Sequence, residues 1–482
     1  MKKIRLYITL MFVAVLTSSA MAQLSPVDFM RNNPRSSLAN PATYIVDNGY
    51  FDLALGGINF GLINSGLKYD QFFKFDGNGY PTTLDLDKGV ASLQDVNYLN
   101  TYFNFDIFNC GLRTKHGYFT YTHRLRETES LSFTKDLLQL IAQGNASFLG
   151  DSNPANIELN LSARVYQEFD FGYQMALTDH LDIGIRAKFL MGFVDAQANA
   201  LSAKLYTDPD TYAMKLALDP VTVRATLPYQ FRIGEDYSLS IVDRRFNPAN
   251  LFKNYGFGID LGAAYQINDQ WGVAAAINDL GLISWNNYSA EFKAELQDGG
   301  SFYQDGSIVF PGLNSDQLHG LLFDSTYVNN LMDSLSGYYQ LSVNSLAKYN
   351  TGLNTNFMIR GYYNLTPEHR FTAQFAGYNY GLGIKPALTI AYTGSFGGKY
   401  DVVATYTIMN GRYDNLGVGL SANFGGIMLY IASNNIIGFF NPANSSQLNA
   451  QIGISFTSGY STNRSEMVIL KAQEAEAGEK EE

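Results

Sequence analysis

Between Gly256 and Ile267 the chain changes character at every second residue. Phe257, Ile259, Leu261, Ala263, Tyr265 and Ile267 alternate with Gly256, Gly258, Asp260, Gly262, Ala264 and Gln266. A period of two belongs to a strand with one apolar face and one polar or small face. The alternation returns through much of the chain, with aromatic residues near the ends of the runs and turn residues between them. Behind an export leader, this predicts an all-β protein, an antiparallel transmembrane β-barrel.

The leader reading covers residues 1–22. Lys2, Lys3 and Arg5 precede the apolar run 6–15, and Ala20-Met21-Ala22 fits the small-residue rule for cleavage before Gln23. That run is short for a membrane helix, and no later stretch approaches the ~20 apolar residues a helix needs. With export, the expected location is the cell outer membrane, with its lipid as the first partner. The chain is 14% aromatic and only 16% charged, with 44 Gly, 33 Tyr and 33 Phe, whereas soluble domains carry about 25% charged residues. The net charge of −11 becomes about −14 without the three leader cations, which argues against nucleic acid as a partner. Cys110 is the single cysteine, so no internal disulfide framework exists.

Faces can be assigned along several runs. In 161–177, Leu161, Ala163, Val165, Phe169, Phe171, Tyr173, Met175 and Leu177 point outward, and Arg164, Glu168, Asp170, Gly172 and Gln174 inward. Gln167 breaks the outward series. After Thr178-Asp179-His180, Ile183, Ile185, Ala187, Phe189, Met191 and Phe193 point outward, and Asp182, Gly184, Arg186, Lys188 and Gly192 inward. Runs 256–267 and 271–277 flank Asn268-Asp269-Gln270. Runs 357–365, 370–378, 386–393, 400–408, 415–424 and 427–432 follow as strand and turn, and 450–456 closes the series. Earlier, 51–60, 102–108 and 118–123 read as strands. Missed strands included, this predicts about 14, with 12 to 16 compatible, and a closed sheet, because hydrocarbon offers no partner for an open edge. Short turns should face the periplasm. The long connections 69–100, 126–158, 195–255 and 286–354 should fold over the outer mouth or lengthen strands. Helical spacing appears in 132–146, through Leu137, Leu138, Ile141 and Ala142, and again in 316–335. The domain reading is therefore leader 1–22, N-terminal plug 23–50, barrel 51–457 and an acidic periplasmic tail 458–482.

The inward charges Arg164, Glu168, Asp170, Asp182, Arg186, Lys188, Asp260, Arg360 and Arg370 carry both signs. They read either as a selectivity lining or, more economically, as a paired interior holding a plug. Catalytic, metal and cofactor sites are not expected. His116 and His123 lie at or near strand ends, His180 and His369 by short turns, and His319 in a long connection, and none has a ligand-spaced partner. Trp271 and Trp285, with Tyr255, Tyr265, Tyr362, Tyr363, Tyr378, Tyr392, Tyr400 and Tyr406, are candidates for interfacial girdles. Asn-Pro-Ala occurs at Asn40-Pro41-Ala42, Asn153-Pro154-Ala155, Asn247-Pro248-Ala249 and Asn441-Pro442-Ala443. Asn-Pro favours turns, and no fixed period links the copies.

The first copy stands just before the first strand, in the run Arg31-Asn32-Asn33-Pro34-Arg35-Ser36-Ser37-Leu38-Ala39-Asn40-Pro41-Ala42. An N-terminal Asn-Pro-Ala ahead of a barrel of this size resembles the FadL-like fatty-acid transporters. The stretch from Gly256 to Gly281, ending Asn278-Asp279-Leu280-Gly281, resembles barrels of the Bacteroidota, including the PorV and PorP/SprF types and a family catalogued as a domain of unknown function (5723). The resemblance covers most of 23–456, although FadL-type chains end on the last strand and this one continues past Phe456. It implies that Asn33, Pro34, Asn40, Pro41 and Ala42 belong to a luminal hatch, and that the barrel takes up or binds a hydrophobic small molecule. The PorV-like likeness implies instead an accessory barrel that anchors or shuttles periplasmic or secreted proteins. An apolar lumen pocket or a gap in the wall would favour the first. A sealed lumen under an exposed apolar loop patch would favour the second.

Overall fold

The computed structural model describes residues 25–43, 51–65, 67–77, 80–114, 117–212, 214–218, 221–233, 239–243, 248–296, 301–304, 339–344, 348–379, 383–409, 412–441 and 444–458. The leader, residues 316–335 and the tail beyond Ser458 lie outside them; Ser458 itself is the last residue of the final strand.

Fourteen antiparallel strands close into a barrel. They are β1 (Phe51–Asn64), β2 (Val96–Thr114), β3 (Gly117–Thr134), β4 (Ala155–Ala176), β5 (Leu181–Thr207), β6 (Tyr255–Gln266) and β7 (Trp271–Trp285). The circuit continues through β8 (Asn356–Asn364), β9 (His369–Asn379), β10 (Ile384–Phe396), β11 (Tyr400–Met409), β12 (Arg412–Phe424), β13 (Ile427–Ser433) and β14 (Gln447–Ser458). Closure comes from β14 against β1, with Phe51 opposite Ser458 and Ile63 opposite Gln447. The first and last strands thereby leave no open sheet edge to face hydrocarbon. Among the described residues no helix is long and apolar enough to cross a membrane; the strands do so.

The strand faces explain why this sequence closes. Phe257 is 61% exposed and Ile390 59%, whereas Asp260 between the same walls is 1% exposed. Exposed Phe171, Ile185, Leu261, Val273, Ile359, Leu388, Leu420, Ile431 and Ile452 continue an apolar belt around the circuit, which is stable against hydrocarbon and not against water. Three girdle candidates point the other way. Trp285 is fully buried in the lumen and donates to Thr351 at 2.8 Å. Tyr378 is in the inner core. Tyr362 faces Gly272, whose small size leaves room for the ring. Met191 is also buried rather than exposed, beside the short turn Pro248–Lys253 that packs on β5. His123 lies well inside β3, stacked on Phe169, and not at a strand end.

The wall is uneven. β4 and β5 hold 22 and 27 residues, whereas β8 holds 9 and β13 only 7. The short turns at 177–180, 267–270, 365–368, 397–399 and 425–426, and both ends of the barrel chain at Phe51 and Ser458, lie at one rim. At the other rim β5 continues into a small extra sheet through Met214–Leu218, Val221–Thr226, Ser289–Leu296 and Tyr339–Asn344. The strands expected over 102–108 and 118–123 are much longer for this reason, since they rise into segments read as connections. The expected loop helix forms as α1 (Lys135–Gln143), with Leu137 and Leu140 packed on Phe148, Ile157 and Leu205.

Candidate functional site

Residues 25–43 occupy the lumen. Ser25 starts one 3-10 turn, Pro26–Phe29: its hydroxyl accepts Val27 N–H at 3.2 Å, and its own N–H donates to Asp28 at 3.0 Å. Asn33 starts the next, Pro34–Leu38, by accepting Arg35 N–H at 3.0 Å. Proline at the first position of each turn has no N–H to leave unpaired. Asn40 closes the segment by accepting Ala42 N–H at 2.8 Å. Pro41 and Ala42 then lie against Gly184 and Gly262, where any Cβ would strike the segment's backbone or Asn40. Gly184→Val is therefore expected to lift residues 40–42 off the wall, read as faster hydrogen exchange there in a barrel that still assembles.

Barrel side chains hold the carbonyls of this segment. Gln174 donates to Ala42 O at 3.1 Å, Asn278 to Ala39 O at 2.9 Å and Arg186 to Ser37 O at 2.8 Å. Thr393 donates to Phe29 O at 3.0 Å and Arg360 to Asp28 O at 2.9 Å. Arg35 pairs with Asp106. The N–H and side-chain amide of Asn32 donate to the two Asp401 oxygens at 2.8 and 3.0 Å.

The two sides of the lumen differ in chemistry. Along the tall wall runs a charge network. Arg126 bonds Asp279 at 2.9 and 3.1 Å and Glu168 at 2.7 Å. Lys188 contacts Asp279 at 2.6 Å and Asp260 at 2.9 Å, Arg186 reaches Asp260 at 2.9 Å, and Arg124 spans Glu168 and Asp170. All these groups are buried, where an unpaired charge would cost several kcal/mol. Above the network, Tyr166, Leu190, Ile283, Trp285, Tyr349 and Leu353 form an aromatic and aliphatic layer. Along the low wall apolar side chains share the inner face with Arg360, Gln374, Thr389, Thr393, Asp401 and Thr405. Met358, Ala376, Ala387, Ala391, Val403 and Ala432 pack with Val27, Phe29 and Met30 of the N-terminal segment. A cavity of about 80 Å³ lies between the two sides, with Asp28, Arg35, Lys188, Asn104, Asn278 and Tyr378 in its lining. It has space for a few waters.

The low wall also has an interruption. β13 leaves the ladder at Ser433, while β12 extends to Arg412 and β14 begins at Gln447. Residues 412–417 and 447–450 have no ladder partner on that side among the described residues. The chain passes there into α2 (Ile436–Phe440), where Phe440 is 85% exposed. Asn435 fixes the helix by accepting Gly438 N–H at 3.1 Å and donating to Gln447 O at 3.2 Å.

Of the inward charges read from the sequence, Glu168, Asp170, Arg186, Lys188 and Asp260 share the network. Arg164 pairs separately with Asp195 at 3.0 Å. Asp182 is buried near the short-turn rim beside Arg113. Arg360 holds the segment, and Arg370 stacks on Tyr362 and donates to Asn364 at 2.7 Å. Asn33, Pro34, Asn40, Pro41 and Ala42 all lie in the luminal segment. The second Asn-Pro-Ala forms the turn into β4, and parts of the third and fourth lie outside the described residues.

The model of the family of unknown function DUF5723 matches residues 41–434, from within the first Asn-Pro-Ala to just past the end of β13. The chain belongs to this family. No curated protein matches it. Among solved structures, the DUF5723 chain is similar to a Pseudomonas aeruginosa FadL homologue at 7% identity, over 91% of this chain and 96% of that chain, with a TM-score of 0.41. It is also similar to the toluene transporter TodX of P. putida (10%, 89% and 95%, TM-score 0.39) and to the toluene transporter TbuX of Ralstonia pickettii (10%, 92% and 100%, TM-score 0.32). No residue correspondence follows from these likenesses.

The reading of this DUF5723 chain from sequence missed Asp28, Arg35, Asp106, Arg124, Arg126, Asp279 and Asp401. Arg124 and Arg126 continue the inward alternation of β3 past His123, so following that run further would have found them. Asp279 gives no such signal. Alternation from Trp271 through Ile277 points it outward, but a bulge in which Asp279 takes φ of 60° turns both Asn278 and Asp279 inward.

Proposed function

We propose that this is an outer-membrane barrel, exported through the leader 1–22, that binds or passes a hydrophobic small molecule, with residues 25–43 as a movable hatch. The observation that carries the reading is the interrupted low wall beside an apolar cluster of inner side chains, Met358, Ala387, Val403 and Ala432 among them, that continues onto Val27, Phe29 and Met30. A hydrophobic solute meets this apolar cluster on that side, whereas the opposite wall carries the charge network beneath its aromatic layer. Deleting residues 23–42 is expected to raise conductance in planar bilayers, and unchanged conductance rejects the hatch. Native protein drawn from envelopes should carry an apolar small molecule identifiable by mass spectrometry.

A second reading is an accessory barrel for protein partners, of the PorV-like kind. It is favoured by the small polar cavity and by a segment pinned at so many points. Stoichiometric protein partners in the same envelope preparation, without a bound small molecule, would select it.

A further inference from the structure

The first turn of the luminal segment ends in a group of residues with two ways to bond. Asp28 lines the central cavity, and its carboxylate accepts the Ser25 N–H. Arg360 of β8 faces it but spends its hydrogen bonds elsewhere. One nitrogen donates to the main-chain carbonyl of Asp28 at 2.9 Å, and Nε donates to Gln374 at 2.7 Å. The guanidinium lies 4.5 Å from the centre of the Phe29 ring. Its Nη2 is buried with no hydrogen-bond partner.

The surrounding elements do not neutralise Asp28. Arg35 of the second turn is held by Asp106, and Asp401 of β11 by Asn32. Lys385 of β10 lies over Tyr98, β12 presents Gly419, and β2, β9 and β13 present Tyr102, Tyr378 and Tyr430. Across the cavity, Arg124, Arg126 and Lys188 are engaged by the carboxylates of the network, Asp279 among them.

We infer that Asp28 and Arg360 form a proton-controlled latch on the luminal segment. With Asp28 neutral, the turn stays docked and Arg360 holds its carbonyl. With Asp28 charged, Nη2 turns to the carboxylate, the guanidinium gives up the carbonyl and the Phe29 ring, and the turn lifts. This rests on the reading of residues 25–43 as a movable hatch. Burial pushes the Asp28 carboxyl up to about 6, against the opposing pull of the Ser25 N–H and the Arg360 charge. A carboxyl raised on docking binds its proton more tightly in the docked state. Docking is therefore firmest in acid, weakens as pH rises through about 4 to 6, and is constant again above that.

Hydrogen exchange of the amides in 25–43, expressed as protection relative to intrinsic rates, tests the latch without any ligand. Protection is expected to fall roughly 10- to 30-fold between pH 4.5 and 7.5. Asp28→Asn should stay protected at both values, and Arg360→Gln should lose protection at both. A flat profile in the unmodified protein, or the same slope in Asp28→Asn, overturns the latch. Conductance of the deletion barrel judges the hatch separately, so the two failures are distinguishable.

Discussion

Asp279→Ala is expected to destabilise the barrel by about 3–5 kcal/mol, the range for removing one partner from a buried ion pair. The Asp279 carboxylate takes two bonds from Arg126 and one each from Lys188 and Asn356. Its loss leaves Arg126 with Glu168 and Lys188 with Asp260, so two buried cations are under-compensated. Alanine also strains the left-handed backbone at this bulge, by about 1–2 kcal/mol. Asp279→Asn separates the two causes, because asparagine accepts that backbone and removes only the charge. Urea unfolding from lipid vesicles should therefore rank the unmodified protein above Asn, and Asn above Ala. Equal stabilities would mean that the network does not carry the tall wall.

Ile185→Arg and Leu261→Arg are each expected to cost roughly 2–4 kcal/mol if near the bilayer midplane. Both side chains face outward, and they stand directly opposite each other across β5 and β6. The double substitution should cost more than the sum, since it places two like charges side by side. On sequence alone, Asp260→Asn would be harmless, as a luminal change. The structure revises that. Asp260 takes contacts from Arg186 and Lys188, both at 2.9 Å, and accepts the Asp279 N–H at 2.7 Å. A loss of about 1.5–3 kcal/mol is expected for a hydrogen-bonded buried charge. Heat-modifiable migration on gels, with unfolding in vesicles, reads all three. If the arginine variants assemble as well as the unmodified protein, the outward face has been assigned wrongly.

Much of the barrel is legible because lipid and water impose a strict period of two. Turn positions such as Thr366-Pro367-Glu368 and Gly397-Gly398 follow from residues that cannot sit comfortably in a ladder. What escapes is whatever breaks that period. A bulge at Asn278-Asp279 reverses a side chain without any local signal. Trp285 and Tyr378 were candidates for the membrane interface, yet an aromatic ring suits a packed lumen equally well, and composition does not distinguish inside from outside. The ends of β2 and β3 were also hidden, because strands that rise beyond the bilayer no longer alternate apolar with polar. The luminal segment was visible only as turn chemistry; its partners come from seven or more strands far away in sequence, and no local pattern records such pairings.

The shortness of β13 bears on how the cylinder comes apart. Its ladders with β12 and β14 end far below the rim, whereas the join between β14 and β1, where the first and last strands meet, runs nearly their full length. Under force or in denaturant, the cylinder should unzip beside its thirteenth stave before it parts at the chain's own ends.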